Sequence, residues 1–169
     1  QNNANVSIFA LAYVPQDAGA PGLRNICGDT AGSVLNVGFQ FDVASTGDIL
    51  RFLVTNGVTA FGGSGPIVQV NKWHVLGVTV DEANGAGQLV LDGVMTAFDA
   101  TYTAPSAAAA TYTMQIGAYG NNASPTLNGT RIIGLLIFNR ALTAAEVALG
   151  NAAMQTRILL PSPSTAPPE

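Results

Sequence analysis

Asn71-Lys-Trp-His-Val-Leu-Gly-Val-Thr-Val-Asp81, then Glu82-Ala-Asn-Gly-Ala-Gly87, then Gln88-Leu-Val-Leu-Asp-Gly93 is the stretch that decides the fold. Leu76, Val78 and Val80 fall two apart among β-branched neighbours, the spacing of a strand with one buried face. The Glu82–Gly87 break is rich in turn formers, and Asp92-Gly93 is a two-residue hairpin signal, because both residues tolerate positive φ. The stretch therefore reads as strand, turn, strand, tight turn, with a return strand over Val94–Ala100.

Working outward, Asn5–Val14 alternates at period two and is stopped by Pro15, which has no N–H for a ladder. Gly22–Gly28 is a shorter candidate strand. Leu35, Val37, Phe39, Phe41 and Val43 share one face of a strand over Leu35–Val43. Asp48–Thr55, Ile67–Val70, Thr111–Ala118 and Arg131–Asn139 complete about ten short strands, and the spacing of turn signals predicts an all-β, two-sheet antiparallel jelly-roll sandwich. One segment breaks the rhythm. Thr143-Ala-Ala-Glu146 is a capping box, so a short helix is expected over Ala144–Met154, weakened by Gly150. The domain is expected over 1–158. Residues 159–169, which include four prolines, read as an extended arm or linker.

Composition narrows the function classes. Charged residues are 9% of the 169, against about 25% in an average domain, while 48% are hydrophobic, so low charge does not signal disorder. The net charge is −4, and the six basic residues, scattered from Arg24 to Arg157, form no stripe for a nucleic acid. No apolar run reaches the roughly 18 residues of a membrane span. Cys27 is the sole cysteine, expected to be a buried, inert thiol.

Three pieces of the chain carry a resemblance. Trp73-His74 followed by Val78-Thr79 and Asp81, the hairpin Leu89-Val-Leu-Asp-Gly93, and Ile137-Phe-Asn-Arg-Ala-Leu-Thr-Ala-Ala-Glu-Val147 resemble the laminin G-like, concanavalin A-like jelly-roll superfamily. Gly117 and Gly129 sit where that family usually has glycine. The likeness covers roughly residues 5 to 148. It implies two curved sheets packed face to face, with functional loops on the rim or the concave side. It also implies an opening strand ahead of the stretch that resembles Ser7–Val14, pairing near the C-terminal end. Only a few residues precede that stretch here, so an open sheet edge is expected, closed by the segment after Met154, by upstream chain or by a neighbouring molecule.

Candidate chemistry is sparse. Trp73 could stack on a sugar, but its place in an alternating strand favours packing. His74 is the only histidine, and the sequence places no catalytic partner beside it. Glycoside hydrolysis needs two carboxylates about 5–10 Å apart across the scissile bond. The three Glu lie in a turn (Glu82), a helix cap (Glu146) and the tail (Glu169), and Asp42 and Asp48 are separated by a loop, so no enzyme is expected. A calcium ion would take oxygens from Asp81, Asp92 and Asp99 near hairpin ends. The loop Ala118-Tyr-Gly-Asn-Asn-Ala-Ser124 offers Tyr119, Asn121 and Asn122 to sugar hydroxyls.

Two readings follow. One is a non-catalytic attachment module outside a cell or on a virus particle, binding a surface glycan or protein. The other is a structural subunit of a phage or virion assembly (capsid decoration, head fibre or tail component), self-associating or packed on neighbouring subunits.

Overall fold

The computed structural model describes residues 5–16, 24–30, 37–44, 46–56, 60–98, 101–102, 112–118 and 129–159. Ten strands and one helix occur among them. In chain order the strands are β1 (Asn5–Val14), β2 (Arg24–Gly28), β3 (Val37–Val43), β4 (Ile49–Asn56), β5 (Ala60–Ile67), β6 (Lys72–Asp81), β7 (Ala86–Leu91), β8 (Val94–Ala97), β9 (Gln115–Ile116) and β10 (Arg131–Phe138). The helix α1 spans Ala144–Leu159. The strands form two five-stranded antiparallel sheets, β10-β1-β6-β7-β8 and β5-β4-β3-β2-β9, so the expected two-sheet sandwich is present.

Alternation explains how the layers meet. Val6, Ile8, Ala10, Ala12 and Val14 of β1 face the opposite sheet, with Leu76, Val78, Val80 and Leu89 beside them. Phe39, Phe41 and Val43 of β3 and Leu50, Phe52 and Val54 of β4 meet them from the other side. Phe52 contacts Phe39 and Phe41, with ring centroids 5.9 and 6.4 Å away. Each such fully buried side chain contributes about 1.5–3 kcal/mol of transfer free energy. Cys27 is buried in this core as expected, and burial pushes its thiol up to about 12.

The other face of the first sheet makes a second, smaller core. Phe9 and Leu11 of β1, Val75 of β6 and Val90 of β7 pack under Leu142, Val147 and Met154. The capping box sets the start of α1. The Glu146 N–H donates to Thr143 Oγ1 at 3.3 Å, and the Thr143 N–H donates to Glu146 Oε2 at 2.9 Å. Arg140 grips the same carboxylate at 2.6 and 2.9 Å and holds it down to about 2. The buried Ser7 and Thr79 hydroxyls each accept the Leu142 N–H at 3.0 Å, which ties the approach to α1 onto β1 and β6.

Several boundaries differ from the sequence expectation. The helix runs on to Leu159 instead of ending at Met154, since good helix formers follow and Gly150 only weakens the interior. The strand expected at Ile67–Val70 lies earlier, at Ala60–Ile67, through a Gly-rich run that reads as loop. The reason is space: a Cβ at Gly63 would run into the Phe98 ring, and one at Gly65 into Leu89. These two positions are kept bare so that side chains of the facing sheet can close in. The strand expected over Thr111–Ala118 shrinks to Gln115–Ile116. The segment after Met154 is helical as far as Leu159, so over that length it adds no strand to the sheet edge. Among the described residues β10 pairs with β1 alone, leaving its outer side open. No described helix is long and apolar enough to cross a membrane. Residues 160–169, the greater part of the expected arm, lie outside the described residues.

Candidate functional site

The outer face of the β5-β4-β3-β2-β9 sheet is built by the same alternation that builds the core. With Phe39, Phe41 and Val43 turned inward, Gln40 and Asp42 of β3 turn outward. With Leu50, Phe52 and Val54 inward, Arg51, Leu53 and Thr55 of β4 turn outward. Strand register then sets Asn25 opposite Asp42, Asp42 opposite Arg51, and Arg51 opposite Ser64, a polar row crossing β2, β3, β4 and β5.

Asp42 is the hub of the row. Arg51 donates to it twice, Nε to Oδ1 at 2.9 Å and Nη2 to Oδ2 at 3.0 Å, and Gln40 Nε2 donates to Oδ2. Asp42 is fully buried, Asn25 and Gln40 are buried, the Arg51 side chain is 25% exposed and Ser64 is exposed. The planar two-pronged contact fixes the guanidinium, because both torsional freedom and charge are spent on one carboxylate. Removing Arg51 would leave a buried, unpaired charge, which typically costs about 3–5 kcal/mol. The row therefore rises from a buried carboxylate to a half-exposed ledge of Arg51, Leu53 and Ser64. At the accessible end of the row, the Arg51 guanidinium and the Ser64 hydroxyl are held on a rigid sheet and can meet sugar hydroxyls without reordering.

Four other described carboxylates, Asp48, Asp29, Asp81 and Asp92, are engaged elsewhere. Asp48 pairs with the buried Arg24 at 2.7 Å. Asp29 Oδ1 accepts the Phe39 N–H at 2.6 Å, and burial pushes its carboxyl up. Asp81 accepts from the Asn84 side chain at 2.7 Å within the β6–β7 turn. Asp92 binds His74. No cluster of three or more His, Cys, Asp or Glu placed to hold a metal occurs among the described residues.

The residues expected to carry function fare differently. Asp81 and Asp92 stand at opposite ends of the β6–β7 hairpin, six residues of strand apart along β6, roughly 20 Å. They cannot share one cation. Asp99 lies outside the described residues, as do Tyr119, Asn121 and Asn122. Trp73 is half-buried on the helix side of its sheet, not in the core between the sheets, and meets Tyr13 edge-on at 5.7 Å. His74 is buried and has the partner that the sequence did not show, Asp92 at 2.7 Å. The polar row itself was missed. Its signal was the outward set of the clearest alternating strand, Gln40 and Asp42, but matching it with Arg51 requires the register.

Residues 5–148 match the concanavalin A-like lectin/glucanases superfamily, and the chain belongs to it. No curated protein matches. Among solved structures, a leech intramolecular trans-sialidase superposes with a TM-score of 0.65 at 16% identity, over 88% of this chain and 23% of that one. The CBM40 of a Ruminococcus gnavus IT-sialidase, bound to α2,3-sialyllactose, gives 0.65 at 12% identity, over 88% of this chain and 83% of the module. A NanB sialidase variant of Streptococcus pneumoniae gives 0.63 at 16%, over 86% of this chain and 23% of that one. At these identities the likeness is one of fold. The chain spans about a quarter of the whole sialidases and most of the isolated carbohydrate-binding module.

Proposed function

We propose that this chain is a non-catalytic glycan-recognition module, displayed outside a cell or on a virion, whose ligand lies across the Arg51 ledge. The observation that carries the reading is the row Asn25–Asp42–Arg51–Ser64 across four adjacent strands, whose Arg51 and Ser64 end reaches the surface while the buried Asn25 and Asp42 hold it from below. Support comes from the fold, which is shared with a module that binds sialyllactose. Catalysis is disfavoured because Asp29, Asp42, Asp48, Asp81, Asp92 and Glu146 each engage a cation, an amide or a hydroxyl. Asp42, the carboxylate of the row, is sealed under two Arg51 bonds. A general acid or nucleophile needs an oxygen open to the glycosidic bond.

The test is a glycan array carrying both sialylated and neutral oligosaccharides, followed by calorimetric titration of the best hit. Binding is expected, and Arg51→Lys, which keeps the charge but loses the two-pronged grip, should weaken it about tenfold or more. An array silent for every sugar would contradict the proposal.

A second reading has its own observation. Ile133 is 57% exposed, Leu136 44% and Leu149 72%, beside the open side of β10. Such a surface favours a structural role in an assembly, where neighbouring chain covers it. Light scattering on the purified protein separates the two: a stable monomer that binds glycan supports recognition, and an obligate oligomer without sugar binding supports assembly.

A further inference from the structure

We infer that His74 is a proton-operated latch on residues 68–71, the segment that joins β5 to β6. His74 is 5% exposed and sits at the start of β6, on the inward side. Its Nδ1 lies 2.7 Å from Asp92 Oδ2, and its Nε2 lies 2.8 Å from the backbone carbonyl oxygen of Gln69. A carbonyl oxygen has no hydrogen to give. The Asp92 carboxylate also accepts the Val75 N–H, which donates to Oδ1 at 2.9 Å. Both ring nitrogens thus face acceptors. A neutral imidazole has one N–H and one lone pair, so it would set a lone pair against an oxygen at hydrogen-bond distance. The imidazolium, with two N–H groups, satisfies both partners.

The two partners differ in how firmly they are held. Asp92 is fixed to β6 twice over, its own N–H donating to the Val75 carbonyl at 2.9 Å while its Oδ1 takes the Val75 N–H. Gln69 is exposed and belongs to a connecting segment. When the proton leaves, the remaining N–H stays on Nδ1 with Asp92, and the bare Nε2 repels the Gln69 carbonyl. The 68–71 segment is then held by its other bonds: Val68 N–H to the Asp48 carbonyl at 2.8 Å, Asn71 N–H to the Val14 carbonyl at 2.6 Å, and Lys72 Nζ to Gln69 Oε1 at 2.6 Å. Gln69, His74 and Asp92 also line an open cleft of about 420 Å³, walled by Ile67 (70% exposed) and Val94 (67% exposed). Release of Gln69 changes the shape of that cleft.

Among the described residues, the charged groups facing the ring are few. The β7–β8 turn contributes Asp92, and Lys72, on His74's own strand, pushes the other way. β1 presents Ala12 opposite His74, and β5 and β7 present Ile67 and Leu91 around the cleft, none of them titratable. Burial pushes the imidazole down, but the Asp92 hydrogen bond, the Gln69 carbonyl and the Asp92 charge outweigh it, and the net direction is up from 6.5. For Asp92, burial pushes up, and the His74 and Val75 hydrogen bonds carry it below 3.8. A raised histidine stabilises fully below 6.5 and loses that contribution as pH rises through its folded value. A lowered carboxylate stabilises above 3.8 and loses its contribution as pH falls through its folded value. The latch is closed between about 4 and 6.5 and opens on the alkaline side.

Since His74 is the only histidine, its ring resonances are unambiguous. Long-range ¹H–¹⁵N spectra of the intact protein from pH 5 to 9 should show both ring nitrogens protonated at pH 6, with a midpoint above 6.5. Amide exchange at 69–71, corrected for intrinsic base catalysis, should accelerate across that same midpoint. Asp92→Asn should lower the midpoint by about one pH unit or more, and His74→Gln should abolish the step in exchange. A neutral tautomer at pH 6, a midpoint at or below 6.5, or 69–71 amides indifferent to the midpoint would overturn the inference. The wild-type spectra decide it alone if either variant fails to fold.

Discussion

The two sheets turn opposite kinds of outer face. Behind the β10-β1-β6-β7-β8 sheet, Phe9, Leu11, Val75 and Val90 are apolar and hold α1 down through Leu142, Val147 and Met154. Behind the β5-β4-β3-β2-β9 sheet, Asn25, Gln40, Asp42, Arg51 and Ser64 are polar and bonded or paired across strands. The core between the sheets serves both equally. The difference teaches how alternation is used twice: one outer face is spent on packing a helix, and the other is a bonded polar row whose Arg51 and Ser64 end reaches the surface.

Mutations can break this comparison in a graded way. The shared core should respond most. Phe52→Ala, which opens a cavity between Phe39 and Phe41, should cost about 3–5 kcal/mol in urea unfolding, whichever outer face is probed. Next comes the polar face. Arg51→Met strands the buried Asp42 and should cost about 3 kcal/mol, and adding Asp42→Leu should recover most of it, because the loss is that of an unpaired charge. If the double variant stays as unstable as the single one, the row is not organised around that pair.

How much of this was legible in the sequence follows from which forces were local. The alternation of the expected Leu35–Val43 strand and the Thr143–Glu146 box involve near neighbours; the strand is present over Val37–Val43, residues 35–36 lying outside the described ones, and the box stands where the sequence puts it. The Gly-rich β5 was illegible, since its strand comes from pairing with β4 and its glycines make room for Phe98 and Leu89. The polar row depends on three separate registers, and no single strand announces it. The His74–Asp92 pair was nearer to hand. The hairpin that sets Leu76 opposite Leu91 carries residue 92 back beside residues 74 and 75, so counting along the hairpin would have found it.

The helix side should give smaller effects. Met154→Ala removes one contact of the second core and should cost about 2 kcal/mol, with the sugar affinity of the other face unchanged. Smaller still is the cap. Thr143→Ala should cost about 1 kcal/mol, read as a lowered Tm. The Glu146 carboxylate, lowered from 4.5 to about 2, favours the helix start above pH 4.5. That contribution should fade as pH falls toward 2, visible as faster amide exchange in the first turn of α1 after correction for intrinsic rates.

The most direct measurement is a ¹H–¹⁵N titration of the protein with the best array glycan, read residue by residue. The account predicts shifts concentrated at Asn25, Gln40, Asp42, Arg51, Leu53 and Ser64, with α1 and its underlying strands silent. Shifts concentrated along α1 or β10 instead would contradict it.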